Sequence, residues 1–143
     1  MLAPPYGLDC LLHDHADGAE PIGGILGWLH HKNGKKVSCG VNLVETIKAK
    51  FNEPHGNIVE AFSHTTGLLQ SEETLFRAAK NHVIIRARQG IRYDEFMLAP
   101  QYHLFGEFAQ EAKINKIRAI LRVINAVVAG IKAGEELYPQ NET

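Results

Sequence analysis

The stretch LLHDHADG, from Leu11 to Gly18, sets two histidines two residues apart at the end of an apolar run. Leu8–Leu12 has the length and composition of a strand, bounded by the irregular start Pro4-Pro5-Tyr6-Gly7 and by His13. Along a strand, residues i and i+2 point to the same side. A strand that continues through LLH therefore projects His13 and His15 together, with Asp17 following them and Asp14 facing away. Gly18 permits the turn that follows. Imidazole is the commonest protein ligand for zinc, and two on one strand face reach a single ion at about 2.0–2.1 Å. An HxH pair alone is weak evidence, because most such pairs are surface or hydrogen-bonded histidines. Both readings stay open at this level.

Working outward, Pro21 can occupy the first turn of a helix running towards His31, although Gly23, Gly24 and Gly27 weaken it. His31–Cys39 is polar and reads as a loop. Val41–Phe51 carries Leu43, Val44, Ile47 and Phe51 at helical spacing, and Ile58–Leu69 reads as a further helix. Ser71 is a good N-cap, Thr74 falls where a capping box wants Glu, and the helix that follows runs to about Gln89 before Gly90 ends it. Ile91–Leu98 is a second strand, stopped by Pro100. Glu111–Lys132 is expected as one long helix. Its apolar stripe is Ile114, Ile117, Leu121, Ile124, Val128 and Ile131, expected to dock on a sheet. Glu135–Thr143 reads as a frayed tail. The order of strand, helices, strand and long helix predicts an α/β protein with parallel strands joined by crossovers.

The bulk properties fit one soluble domain. The chain has 143 residues, 45% of them apolar and 22% charged, with a formal net charge of −1. That charge gives no reason to expect nucleic acid or an anionic membrane as a partner. No apolar run approaches the roughly 20 residues that span a bilayer. MLAPPYGLDCLL lacks the basic start and small-residue cleavage site of a secretory signal, and Cys10 and Cys39 form neither a framework nor a CxxC pair. A cytoplasmic chain with two reduced thiols is the expectation. Eight histidines are the only compositional hint of metal or acid–base chemistry. His30, His31, His55 and His82 have no partners at ligand spacing and read as solvated or structural. His64 and His103 read as hydrogen-bonded histidines near a sheet rim.

Three blocks together resemble one family. LHDHADGAEP (Leu12–Pro21) resembles the LHxHLDG signature near the start of adenosine deaminases. EAFSHTTGLLQSEETLFRAA (Glu60–Ala79) is similar to the family's F-x-H-T segment and its following helix. QGIRYDEFMLAPQYH (Gln89–His103) is similar to its G-V-x-Y-x-E-x-R-x-A/S-P block. The likeness covers roughly Leu8–Gly134. Ala16 replaces the family's Leu, Glu20 and the nearby glycines replace a more helix-friendly stretch, and Met97 stands in place of Arg.

The resemblance implies a TIM (β/α)8 barrel with one catalytic zinc at its carboxyl face, of which residues 1–134 would be the N-terminal part and 135–143 a tail. It implies hydrolytic deamination of adenosine, or a related purine nucleoside, to inosine and ammonia. By motif match His13 and His15 are the first-strand Zn2+ ligands, and His15 and Asp17 lie against the ribose. Ile58, Val59 and Phe62 would wall the nucleoside pocket, with ordinary helix-face core as the equal alternative. The family's third histidine ligand, aspartate ligand, proton-handling glutamate and water-orienting histidine lie further along, so no catalytic acid–base residue is expected in this chain. With about two barrel strands, the chain is an incomplete barrel, since the fold needs about 200 residues or more. The expectation is a chain inactive alone, which self-associates or pairs with a chain supplying the missing strands. The other reading is a non-catalytic domain derived from a deaminase that oligomerises or binds a partner. A wider amidohydrolase acting on adenine or AMP is a third.

Overall fold

The computed structural model describes residues 10–15, 49–50, 52–53 and 58–138, without the side chains at 11, 13 and 58–61. The helix expected after Pro21, the loop His31–Cys39 and most of the helix 41–51 lie outside the described residues. Positions 49 and 50 are helical.

Two strands, β1 (Cys10–His15) and β2 (Tyr93–Met97), pair in parallel. Between them run α1 (Ile58–Thr66) and α2 (Glu72–Arg88). A 3-10 turn at Pro100–His103, α3 (Ala109–Ile114) and α4 (Lys116–Glu135) follow β2. The molecule is thus α/β with mostly helices and two parallel strands, as the order of elements in the sequence implies.

Local chemistry explains the bounds of α2. Ser71 is extended, its Oγ accepts from Thr74 N at 3.2 Å, and Thr74 Oγ1 accepts from Ser71 N at 3.2 Å. Threonine therefore closes the capping box in place of the usual glutamate. At the other end Gly90 turns left-handed with φ 80°, and Ile91 N donates back to Arg86 O at 3.0 Å. A positive φ is cheap only for glycine, so this ending is written in the sequence.

The strands break strict alternation. Cys10 and Leu11 face Tyr93 and Asp94, but Asp14 and His15 face Phe96 and Met97, so β1 carries one extra residue between Leu11 and Asp14. This bulge inverts the phase of β1. Leu12 is exposed, whereas the Asp14 side chain, two residues on, is turned onto α2. On β2, Asp94 and Phe96 face the helices, while Tyr93, Glu95 and Met97 lie on the open face.

The final helix departs from its expected form in two ways. It is broken at Asn115, which is extended (φ −147°) and caps α4 by accepting from Arg118 N at 3.0 Å. Its buried face is also not the stripe of large side chains. Ile114, Ile117, Leu121 and Val128 are exposed, the first two at 88% and 72%. The buried positions are Ala119, Val123, Val127, Gly130 and Gly134. Small residues win because α4 lies very close to α2. A Cβ on Gly130 would sit 2.3 Å from the Phe76 carbonyl oxygen, and one on Gly134 would sit 2.7 Å from Val83 Cβ. The core between α2 and α4 is completed by Leu69, Leu75, Ala78, Ala79, Leu104 and Phe108. Each large apolar side chain buried here contributes about 1.5–3 kcal/mol.

Two polar hubs hold the segments around this core. Arg122 on α4 donates to Glu72 at 2.7 Å and to Glu107 and Glu111 at 2.9 Å, with its guanidinium 5.1 Å from the Phe108 ring centre. The carboxylates of Glu111 and Glu72 hold its proton even more firmly than usual. Gln70, just beyond α1, is a clamp. Its amide donates to Thr66 O at 2.7 Å and Tyr102 O at 2.9 Å, and its carbonyl accepts from Phe105 N at 2.9 Å and Gly106 N at 3.2 Å. Gly106 is required at this approach, since a Cβ there would meet the Gln70 backbone oxygen at 2.5 Å. Among the described residues no helix is long and apolar enough to cross a membrane.

Gly130→Ala is expected to destabilise the fold by about 1–3 kcal/mol through overpacking. Ile117→Ala, on the exposed face, should stay within about 0.5 kcal/mol of the parent. Urea denaturation compares the two, and equal losses would contradict the assigned face. Gln70→Ala should raise amide exchange at Phe105 and Gly106, read by hydrogen–deuterium exchange, while leaving α2 amides protected.

Candidate functional site

Both strands deliver their carboxyl ends to one cleft, the position where α/β proteins place ligands. The cleft measures about 900 Å³ and is lined by His15 from β1, Phe62 and Thr66 from α1, Gln70, and Tyr102 and Phe105 beyond β2. His15 is exposed, and its ring centre lies 5.9 Å from that of Phe62, tilted by 57°. The volume lies within the range of small-molecule sites, roughly 300–1,000 Å³. The Gln70 clamp spends its amide on backbone groups, so Gln70 shapes the wall of the cleft.

Behind β1, on the side facing α2, four side chains form a charge network. His82 Nε2 donates to Asp94 Oδ2 at 2.5 Å and lies 3.7 Å from Asp14 Oδ2. Arg86 donates to Asp14 Oδ2 from Nε at 2.8 Å and also from Nη2. His82 and Arg86 lie one turn apart on α2, so one helix face meets both strands. The side chains of His82, Asp14 and Asp94 are only 6%, 13% and 15% exposed. The Phe96 ring packs 4.5 Å from the imidazole of His82. A smaller cavity of about 350 Å³, lined by His82, Arg86, Arg92, Asp94 and Tyr138, opens beside the network.

Among the described residues, Asp14, His82 and Asp94 are the one group of three metal-capable side chains whose ligand atoms all lie within 4.8 Å of one another. Arg86 already supplies a cation to Asp14, so this cluster carries its own counter-charge.

The predicted site residues are placed as follows. His15 and Phe62 come together in the cleft. Asp14 faces away from His15 and onto α2. The His13 backbone lies in β1, within the bulged segment, and its side chain is outside the described set, as are those of Ile58 and Val59 in α1. Asp17 lies outside the described residues, as do His30, His31 and His55. His103 is a buried, hydrogen-bonded histidine, its Nδ1 2.9 Å from Leu69 O. His82 takes the structural of its two readings, and it has the ligand-type partners that local spacing does not show. It is buried rather than solvated, and its partners come from both strands. Gln70, Tyr102 and Phe105 carry no motif that marks them in advance. They enter the cleft because the 3-10 turn folds back on the end of α1.

No protein-family model matches the chain. Curated proteins do. The chain is 30% identical over 131 residues to an adenosine deaminase of Mycobacterium ulcerans, covering 87% of this chain and 33% of that protein. It is 32% identical to an adenosine deaminase of Mycolicibacterium vanbaalenii, covering 88% of this chain and 33% of the relative. It is 30% identical over 134 residues to adenosine deaminase 1 of Streptomyces coelicolor, covering 92% of this chain and 31% of the relative. The chain is thus related to the adenosine deaminases along most of its own length, and it spans about a third of theirs.

Proposed function

We propose that this chain carries the first-strand part of a zinc-dependent aminohydrolase barrel that deaminates adenosine or a related purine nucleoside. The observation that carries the reading is His15, the second member of the HxH pair, standing at the carboxyl end of β1 in a cleft of about 900 Å³. The names of the relatives supply the substrate class. The sheet supports a partial barrel, because parallel strands are normally covered on both faces. Here Leu12, Tyr93 and Met97 lie exposed on one face.

The donors fit zinc in kind, since neutral imidazole binds it without cancelling its charge. They fit only in part by number, because a catalytic zinc takes three protein ligands and keeps an open position. His13 and His15 would hold the ion, with the other ligands and the acid–base groups contributed by elements outside this sequence. Bound zinc supplies a Lewis acid that brings the pKa of water near neutrality. The chain's own residues bind and orient. Phe62, with Tyr102 and Phe105, offers aromatic surface to a purine, and by motif match Ile58 and Val59 would extend that wall. By motif match His15 and Asp17 would face the ribose. Deamination then requires a partner segment or chain that completes the barrel.

One observation favours a second reading. The exposed stripe Ile114, Ile117, Leu121 and Val128 is a face for association, on which a non-catalytic oligomerising domain would rely.

The chain is expected to be inactive alone. Substituted for the matching third of the Mycobacterium ulcerans relative, it should convert adenosine to inosine. His13→Ala with His15→Ala in that chimera should lower turnover by at least about 100-fold, the loss that an outer-shell substitution alone reaches. A chimera that is folded yet inactive, or active without both histidines, contradicts the reading. Phe62→Ala should raise the chimera's KM about tenfold, as loss of roughly 1–2 kcal/mol of apolar contact requires. For the second reading, Ile117→Glu with Leu121→Glu should convert a sedimenting oligomer into monomer. An unchanged sedimentation coefficient counts against it.

A further inference from the structure

The residue between the two histidines is held through its side chain. Asp14 follows the bulge at which β1 shifts register against β2, and the ladder resumes there over two pairs, Asp14 with Phe96 and His15 with Met97. Side chains add a second hold. Arg86 donates to Asp14 Oδ2 through two nitrogens, and His82, bonded to Asp94 on β2, lies 3.7 Å from the same oxygen. All four groups sit on the helix-facing side, while His15 emerges on the cleft side.

We infer that Asp14, His82 and Arg86 form a positioning device that fixes the roll of β1 beyond its bulge and thereby aims His15, the second member of the HxH pair, into the cleft. Pinning Asp14 to α2 leaves His15, the next residue, pointing the opposite way, as the pleat demands. Asp94 completes the device by fixing His82 to the neighbouring strand, so α2, β1 and β2 share one set of polar contacts. These residues touch no substrate and act through His15. The inference rests on the reading of the HxH pair as a zinc site.

The test uses the whole chain and two readouts. Imidazole nitrogen and proton NMR signals of His13 and His15 in metal-free protein report positioning alone. Zinc titration against a chromophoric chelator reports the metal reading. Asp14→Asn and His82→Leu should shift the imidazole signals of the pair and weaken zinc binding about 10–100-fold, the usual effect of losing an outer-shell partner. Arg86→Lys, which keeps a cation beside Asp14, should stay closer to the parent than Arg86→Met. Val123→Ala, a cut in the fully buried core of α4, is the control: it should lower the thermal midpoint and leave those signals in place. Network variants that fold, lose stability and keep parental imidazole signals would show a merely structural role and overturn the inference. Zinc binding that survives His13→Ala with His15→Ala would instead sink the zinc reading, whatever the imidazole signals do.

Discussion

The architecture depends on one buried set of charges. Asp14 on β1 and Asp94 on β2 converge on His82 and Arg86, one turn apart on α2. Two carboxylates brought together in a poorly solvated place repel and are costly to desolvate, so each needs a partner. The helix supplies them from a single face. Removing one member of such a buried set typically costs about 3–5 kcal/mol, more than a surface pair ever contributes. The contact also decides the register of the strands relative to the helix, because a one-residue slip would put Asp14 on the open side of the sheet.

Helix α2 has a second obligation on its other side. The small residues of α4, above all Gly130 and Gly134, allow the two helices to touch backbone to side chain. Close packing of Ala119, Gly130 and Gly134 with Val123 and Val127 leaves Ile117, Leu121 and Val128 on the outside. The exposed face of the sheet has the same character, with Tyr93, Met97 and Leu12 uncovered. Apolar surface is thus left open in two places, on α4 and on the sheet.

Elements whose limits depend on local chemistry were legible in the residues themselves. Ser71, Thr74 and Gly90 bound α2 because a cap and a left-handed turn need only neighbours along the chain. The two strands and their parallel sense followed from the order of apolar segments. The face of α4 was not legible, because counting large apolar residues at helical spacing selects Ile114, Ile117 and Leu121. Close approach to α2 rewards the equally periodic small ones. The break at Asn115 was hidden for a similar reason: an asparagine cap inside an unbroken helical pattern competes only weakly with continuation. His15 and Phe62, named from the motif match, come to line one cleft. The partners of His82 were not legible, since Asp14 and Asp94 become its neighbours only once the strands pair. The bulge in β1 was equally invisible, although it decides that Asp14 turns inward.

The central claim is the proposal that the HxH pair on β1, its His15 aimed by the network behind it, is the metal-binding part of this chain. X-ray absorption at the zinc edge of the zinc-loaded chain tests it most directly. The account predicts a first shell with two imidazole nitrogens at about 2.0–2.1 Å and the remainder oxygen. A shell with a single imidazole and carboxylate oxygens, the donor set of Asp14, His82 and Asp94, would contradict it.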